Sequence, residues 1–239
     1  VIYYALDIET TGLDPETCQI LSIAMVREDT EQAHKCAVDD LPWIHVGISH
    51  RLIKGEPYAL QMNAPLIKSL IPESGYQGLI WDRNGMHVHR TPYSAVRQLL
   101  AWICDDGRIN VAGKNAAGFD IPFLASHGLH ELTARFRHRV IDAGSAFVDW
   151  SAQTLPDLQT CKKIANVPGD VAHNALEDAR DVIRVLRAKY APNADKIRET
   201  IRPYGLEGVN APTYTPCGQF VNRYSEPCKC SICVASRHG

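Results

Sequence analysis

Five residues in this chain are of the types and spacings that do chemistry. Asp7 and Glu9 lie in the run Ala5-Leu6-Asp7-Ile8-Glu9-Thr10-Thr11-Gly12-Leu13. Asp120 follows Asn115-Ala116-Ala117-Gly118-Phe119, and His173 and Asp178 bracket His173-Asn174-Ala175-Leu176-Glu177-Asp178. Four carboxylates drawn from across the chain read as the walls of one acidic pocket able to hold two divalent cations, chemistry suited to cutting phosphodiester bonds.

Each part has a local physical logic. Residues two apart on a strand leave the same face, so Asp7 and Glu9 stand side by side. Like charges repel and burial disfavours ionisation, so the pair needs compensation, and an oxygen-ligated divalent cation supplies it. Taken alone, Asp-x-Glu reads equally well as a solvent-exposed strand end. Asn174 and Glu177 have capping-box spacing, which starts a helix at Ala175 and sets Asp178 in its first turn, where the helix dipole favours a carboxylate. His173 then falls on the incoming loop, free to approach and leave a water as a general base. The plainer reading is a surface histidine beside an ordinary helix start. Asp120 by itself is a good helix cap.

The three motifs together, Asp-x-Glu-Thr-Thr-Gly-Leu, Asn-x-x-x-Phe-Asp and His-x-x-x-x-Asp, resemble those of the DEDDh, or DnaQ-like, 3′-5′ exonuclease superfamily. That group includes RNase T, oligoribonuclease and polymerase proofreading exonucleases. The resemblance covers roughly residues 2–190. It implies an α/β, RNase H-like fold with a mixed five-stranded sheet flanked by helices. It implies that Asp7, Glu9, Asp120 and Asp178 hold two Mg²⁺ or Mn²⁺ ions and that His173 activates the attacking water. It further implies that Thr10, Leu13, Asn115 and Phe119 contact substrate, with Leu13 as a wedge at the last base. The implied activity releases nucleoside 5′-monophosphates from 3′ ends of single-stranded DNA or RNA, in a group where many members form homodimers. An alternative is a catalytically weak nucleic-acid end-binding or interaction module using the same pocket and the cysteine-rich tail. The segment Gly55–Asn63 is reminiscent of phage-borne members, which suggests a phage-encoded protein acting in a bacterial host. Tyr58 and Met62 there are candidates to stack on a base, and Asn63 to read its edge. Alternatively Tyr58, Leu60 and Met62 pack the segment against the body.

Bulk properties agree with such a chain. Its 239 residues suit one domain plus a small appendage, with 45% hydrophobic and 22% charged residues. No apolar run nears the roughly 20 residues that span a bilayer, so no membrane partner is expected. Val1–Leu6 reads as a strand, not a signal peptide, which points to a cytoplasmic setting. The net charge of −2 excludes broad electrostatic wrapping of nucleic acid, but not the gripping of one strand end.

The elements that would position the five residues can be read in outline. Ile2–Glu9 and Gln19–Val26 are strands, with Glu31–Val38 and Trp43–His50 as third and fourth. Asn63–Ile71 suits a short helix. Leu79–His89 reads as a hairpin about Asn84-Gly85. Thr91-Pro92 opens a helix whose apolar stripe is Val96, Leu99, Leu100 and Ile103. Ile109–Ala112 is a short strand, Ile121–His127 a helix, and residues 175–190 a long helix buried through Val182, Ile183, Val185 and Leu186. Residues 1–202 are thus expected to form the nuclease-like domain and 203–239 a Cys-rich tail. Cys217, Cys228, Cys230 and Cys233 crowd that tail as candidate thiolates for a structural Zn²⁺, with free thiols as the other reading.

Overall fold

The computed structural model describes residues 1–192 apart from Gly75, Gln77, Cys104 and Asp105. Beyond them it describes only the backbone of a small two-stranded ladder, Thr213–Tyr214 with Phe220–Val221. The four candidate zinc thiolates lie outside the described residues.

Strand β1 (Ile2–Thr10) runs through the middle of a mixed seven-stranded sheet. It pairs antiparallel with β2 (Ile20–Asp29), which pairs antiparallel with β3 (Trp43–Ile48). Next come α1 (Pro57–Met62), α2 (Ala64–Ser69) and the hairpin β4 (Ile80–Arg83) and β5 (Met86–His89). The hairpin turns through Asn84 and Gly85, both at positive φ, as a tight two-residue turn requires. Helix α3 (Pro92–Ile103) starts at Thr91, whose hydroxyl accepts from the Ser94 amide at 3.2 Å. Strand β6 (Val111–Gly113) lies parallel to β1 on its other side. Helices α4 (Asp120–Ser126) and α5 (His130–Thr133) precede β7 (Ile141–Asp142), which is parallel to β6. Helices α6 (Ala143–Ala146), α7 (Leu158–Ala165) and α8 (Ala175–Tyr190) follow.

The α/β, RNase H-like architecture holds. The sheet has seven strands rather than five, because the β4–β5 hairpin adds to one edge and β7 to the other. The expected strand Glu31–Val38 is absent. Thr30–Gln32 and Val38–Asp40 are short 3-10 turns instead, the first capped by Asp29, which accepts from the Glu31 amide. The run has little β-branched content and no apolar alternation, so nothing drives it into the sheet.

Alternation along β1 divides the core. Tyr4, Leu6 and Ile8 pack against α3, α4 and α5, while Tyr3 and Ala5 pack beneath α8. Asp7 and Glu9 continue the α8 side. Two buried ion pairs fasten α8. Arg187 Nε donates to Glu28 Oε2 of β2 at 2.6 Å, and Lys162 Nζ of α7 donates to Asp181. Such pairs rarely add net stability, but losing one partner leaves a buried charge and costs about 3–5 kcal/mol. They fix the azimuth at which α8 lies on the sheet.

Candidate active site

Strand β1 ends in a register irregularity: Glu9 faces Ser22, but the next residue, Thr10, faces Ile20. Such bulges re-aim side chains where a sheet meets a site. There Asp7 and Glu9 meet Asp178 from the first turn of α8, with one carboxylate oxygen from each lying within 4.8 Å of the others. Asp120, at the start of α4, is not in that tight group. Its charge acts on both Asp7 and Glu9, so it forms an adjoining wall. Glu9, Asp120 and Asp178 are buried, and Asp7 keeps partial contact with solvent.

This packing is electrostatically costly. Burial, then the charges of Asp120, Asp178 and Glu9, push the Asp7 carboxyl well above the usual carboxylate range. Burial and the nearby Asp178 push Glu9 up to about 7, partly countered by the Asn63 side chain. Burial pushes Asp120 up to about 7 against the pull of the Asp120 and Ile8 backbone amides. Asp178 is also raised by burial, although amides at Ala172 and Asn174 and the charge of His173 favour its ionised form. Hard oxygen donors crowded together and hindered from ionising fit a divalent cation such as Mg²⁺ or Mn²⁺, whose charge would offset the repulsion.

His173 is exposed and sits at φ +48°, in the left-handed region that non-glycine residues seldom occupy. The backbone around it is tied down. Lys162 Nζ donates to the Asp170 carbonyl at 3.0 Å, the Val171 amide donates to Gln159 Oε1 at 2.8 Å, and the Ala172 amide donates to Asp178 Oδ1 at 3.1 Å. On the other side Asn174 Oδ1 accepts from Leu176 and Glu177 amides. Sequence reasoning pictures a histidine on a free loop. In the structure only the side chain is free, on a backbone held at both ends. Half of the expected capping box forms. The Glu177 carboxylate turns outward to Arg180 and Arg184.

Of the other candidate contacts, Thr10 is buried and its hydroxyl donates to the Gly12 carbonyl at 2.7 Å. Leu13 is 73% exposed on the turn beyond β1. Asn115 is exposed at φ +61°, its amide donating to Asp142 Oδ2 at 2.7 Å. Phe119 is half-buried against Phe123, with ring centroids 4.8 Å apart. Tyr58 is 77% exposed, so the reading that packs it on the body does not hold.

Asn63 is where sequence reasoning goes astray. It is 2% exposed and turned inward, its Nδ2 donating to the Thr10 carbonyl at 3.1 Å, and its side chain also acts on the Glu9 carboxylate. It cannot read a base edge from there. The segment that carries it is pressed onto the end of β1: the Glu56 amide donates to the Thr11 carbonyl at 2.7 Å, and Glu56 Oε1 accepts from the Leu13 amide at 3.1 Å. A Cβ on Gly55 would stand 2.2 Å from the Thr11 carbonyl oxygen, so only glycine permits this approach. Partners behind metal ligands are typically worth about 10–100-fold in metal affinity. Asn63→Ala is expected to weaken Mn²⁺ binding within that range while the fold persists. Calorimetric titration checks this, and unchanged affinity would mean Asn63 only packs the segment.

No protein-family model matches the sequence, and no curated protein matches it. Among solved structures the chain is similar to S. pombe Pop2p in its Mg²⁺- and Mn²⁺-bound form. The TM-score is 0.52 at 14% identity, over 79% of this chain and 83% of that one. It is also similar to a moderately thermophilic exonuclease I from Methylocaldum szegediense, with a TM-score of 0.50 at 18% identity. That match covers 84% of this chain but 43% of the other, so the chain spans less than half of that enzyme. At these identities what is shared is the fold. No helix among the described residues is long and apolar enough to cross a membrane.

Proposed function

We propose that this protein is a metal-dependent nuclease of the DEDDh kind, a 3′→5′ exonuclease that releases nucleoside 5′-monophosphates from single-stranded nucleic acid. One observation carries the reading. Asp7, Glu9 and Asp178, from elements at opposite ends of the domain, meet within 4.8 Å, with Asp120 adjoining and His173 at the rim. The likeness in fold to an exonuclease I, and to a Pop2p that holds Mg²⁺ and Mn²⁺, supports it.

Asp7, Glu9 and Asp178 would hold one Mg²⁺ or Mn²⁺ ion, and Asp7 with Asp120 a second. Bound there, the cations would supply Lewis-acid stabilisation of the charge that gathers on phosphoryl oxygens during displacement. The His173 imidazole, exposed at the rim on a fixed backbone, accepts the proton of the attacking water. Leu13, exposed just past β1, bears on the terminal base. His173→Ala is expected to lower kcat by about 10²–10⁴-fold, the range for general-base loss. Mn²⁺ affinity should stay close to wild type, because the imidazole is not one of the holding groups.

The deciding experiment digests matched single- and double-stranded DNA and RNA, labelled at the 5′ or 3′ end, with Mn²⁺ or with EDTA. Mononucleotides released from the 3′ end only with metal support the proposal. A purified, folded protein that leaves every substrate intact with Mn²⁺ would overturn it.

A further inference from the structure

The acidic pocket lies at the C-terminal ends of β1 and β6. The other end of β6 carries exposed arginines, beside an Asp106 that is already engaged by Arg27 and the Tyr4 hydroxyl. Arg108 stands just before Ile109, and the Ile109 amide donates to the Arg135 carbonyl while the Arg137 amide donates to the Ile109 carbonyl, both at 2.8 Å. This short parallel bridge pairs Ile109 with Phe136, and both are buried in the core on the α3–α5 side. Phe136 is therefore an anchor, and its neighbours are turned outward. Arg108, Arg137, His138 and Arg139 are all exposed. Arg135 braces the loop beneath them, its Nε donating to the Gly107 carbonyl at 2.6 Å.

None of the ion pairs among the described residues involves Arg108, Arg137 or Arg139. The stretch from Ala134 to Ile141 contains no acidic residue, in a chain whose net charge is −2. The nearest carboxylate on the way to the pocket, Asp142, is already engaged by the Asn115 and Ser145 amides. Arg137 and Arg139 on this anchored loop, with Arg108 beside it and none of the three in an ion pair among the described residues, suit a polyanion better than they suit the fold.

Register gives the separation. Tyr4 pairs with Val111 and Ala5 with Ala112, so Asp7 stands level with position 114, five residues beyond Ile109. At about 3.3 Å per residue that is roughly 17 Å. At 3.4 Å per stacked nucleotide it spans about five nucleotides. Exposed Asn115 and half-exposed Lys114 stand at the pocket end of this track, level with Asp7 and Ile8.

We propose that Arg137 and Arg139, with Arg108 beside them, bind the phosphates of the substrate strand about five nucleotides upstream of its scissile end. The assignment deepens the proposed function and rests on its placement of the 3′ end in the acidic pocket. It makes the protein a length-sensing nuclease: strands long enough to reach the arginines bind well, and shorter ones are held by the pocket alone.

The test separates binding from hydrolysis. Wild type and the Arg137→Ala/Arg139→Ala double variant are compared by fluorescence anisotropy with Mn²⁺. The probes are single strands of three and of twelve nucleotides carrying hydrolysis-resistant phosphorothioate linkages, as DNA and as RNA. The substitutions are on the surface, and thermal melting checks that the fold is retained. Expected is an affinity loss of about tenfold for the twelve-mer and little change for the three-mer. The slope of log affinity against log salt should fall by about 1.4 for the twelve-mer, since each contacted phosphate on a single strand contributes roughly 0.7. An equal loss for both lengths, no loss, or a wild type that does not bind the twelve-mer would each overturn the track. Hydrolysis is scored separately on unmodified strands, so a protein that binds by length but does not cut would sink the nuclease reading and leave the track standing.

Discussion

Asp7→Asn is expected to reduce hydrolysis by roughly a thousand-fold or more and, in the same variant, to raise the melting temperature of the metal-free protein. The first effect follows from the position of Asp7, which stands among Glu9, Asp178 and Asp120 and alone would serve both ions. Removing an interaction worth about 4 kcal/mol in the transition state gives that factor. The second follows from the same crowding. Three neighbouring carboxylates and burial oppose the Asp7 charge, so a neutral amide of equal size relieves repulsion that no cation is there to offset. Steady-state assays and calorimetry on one preparation read both. If activity fell and metal-free stability fell with it, Asp7 would be a structural residue, and the repulsion argument would be wrong.

The second large effect is in pH. Glu9 and Asp120 titrate near 7 in the folded protein and near 4 when unfolded. Between those values the native state binds more protons than the unfolded chain. Metal-free stability from these groups is therefore highest below about pH 4, falls as pH rises through 7, and is level above. His45, His50 and His89, whose pKa values burial depresses, have the opposite sign, gaining stability as pH rises toward 6.5. The informative quantity is therefore the difference between melts in Mn²⁺ and in EDTA, from which the histidines cancel. That difference should be small at pH 5 and widen steeply through pH 7, because the cation needs the carboxylates ionised. A difference independent of pH would show that Mn²⁺ binds somewhere other than these groups.

What could be read in the sequence was what local chemistry writes plainly. Asn174 caps α8 where expected, the Asn84-Gly85 hairpin turns where expected, and β1 carries Asp7 and Glu9 on one face. The strand expected over Glu31–Val38 had no alternation behind it, and it folds into 3-10 turns. Between Gly128 and Phe147 lie α5, α6 and β7, of four, four and two residues. Elements so short do not complete a period, so hydropathy cannot announce them. Asn63 was legible as a residue but not as a place. Nothing beside it in sequence says that Gly55 lets its segment close on β1, and the closure turns the amide from solvent toward Glu9. The motif residues carry a local signature, whereas the residues that hold them, Asn63, Gln159 and Lys162, are defined only by the completed packing.

The tight carboxylate group draws on the first strand and on the last long helix of the described domain. Chains emerge from the ribosome N-terminus first. During synthesis β1 therefore waits, without a working cage, until α8 has emerged and docked. On the proposed function, a polypeptide made beside its own messenger would gain the power to cut nucleic acid only once nearly all of the domain had been translated.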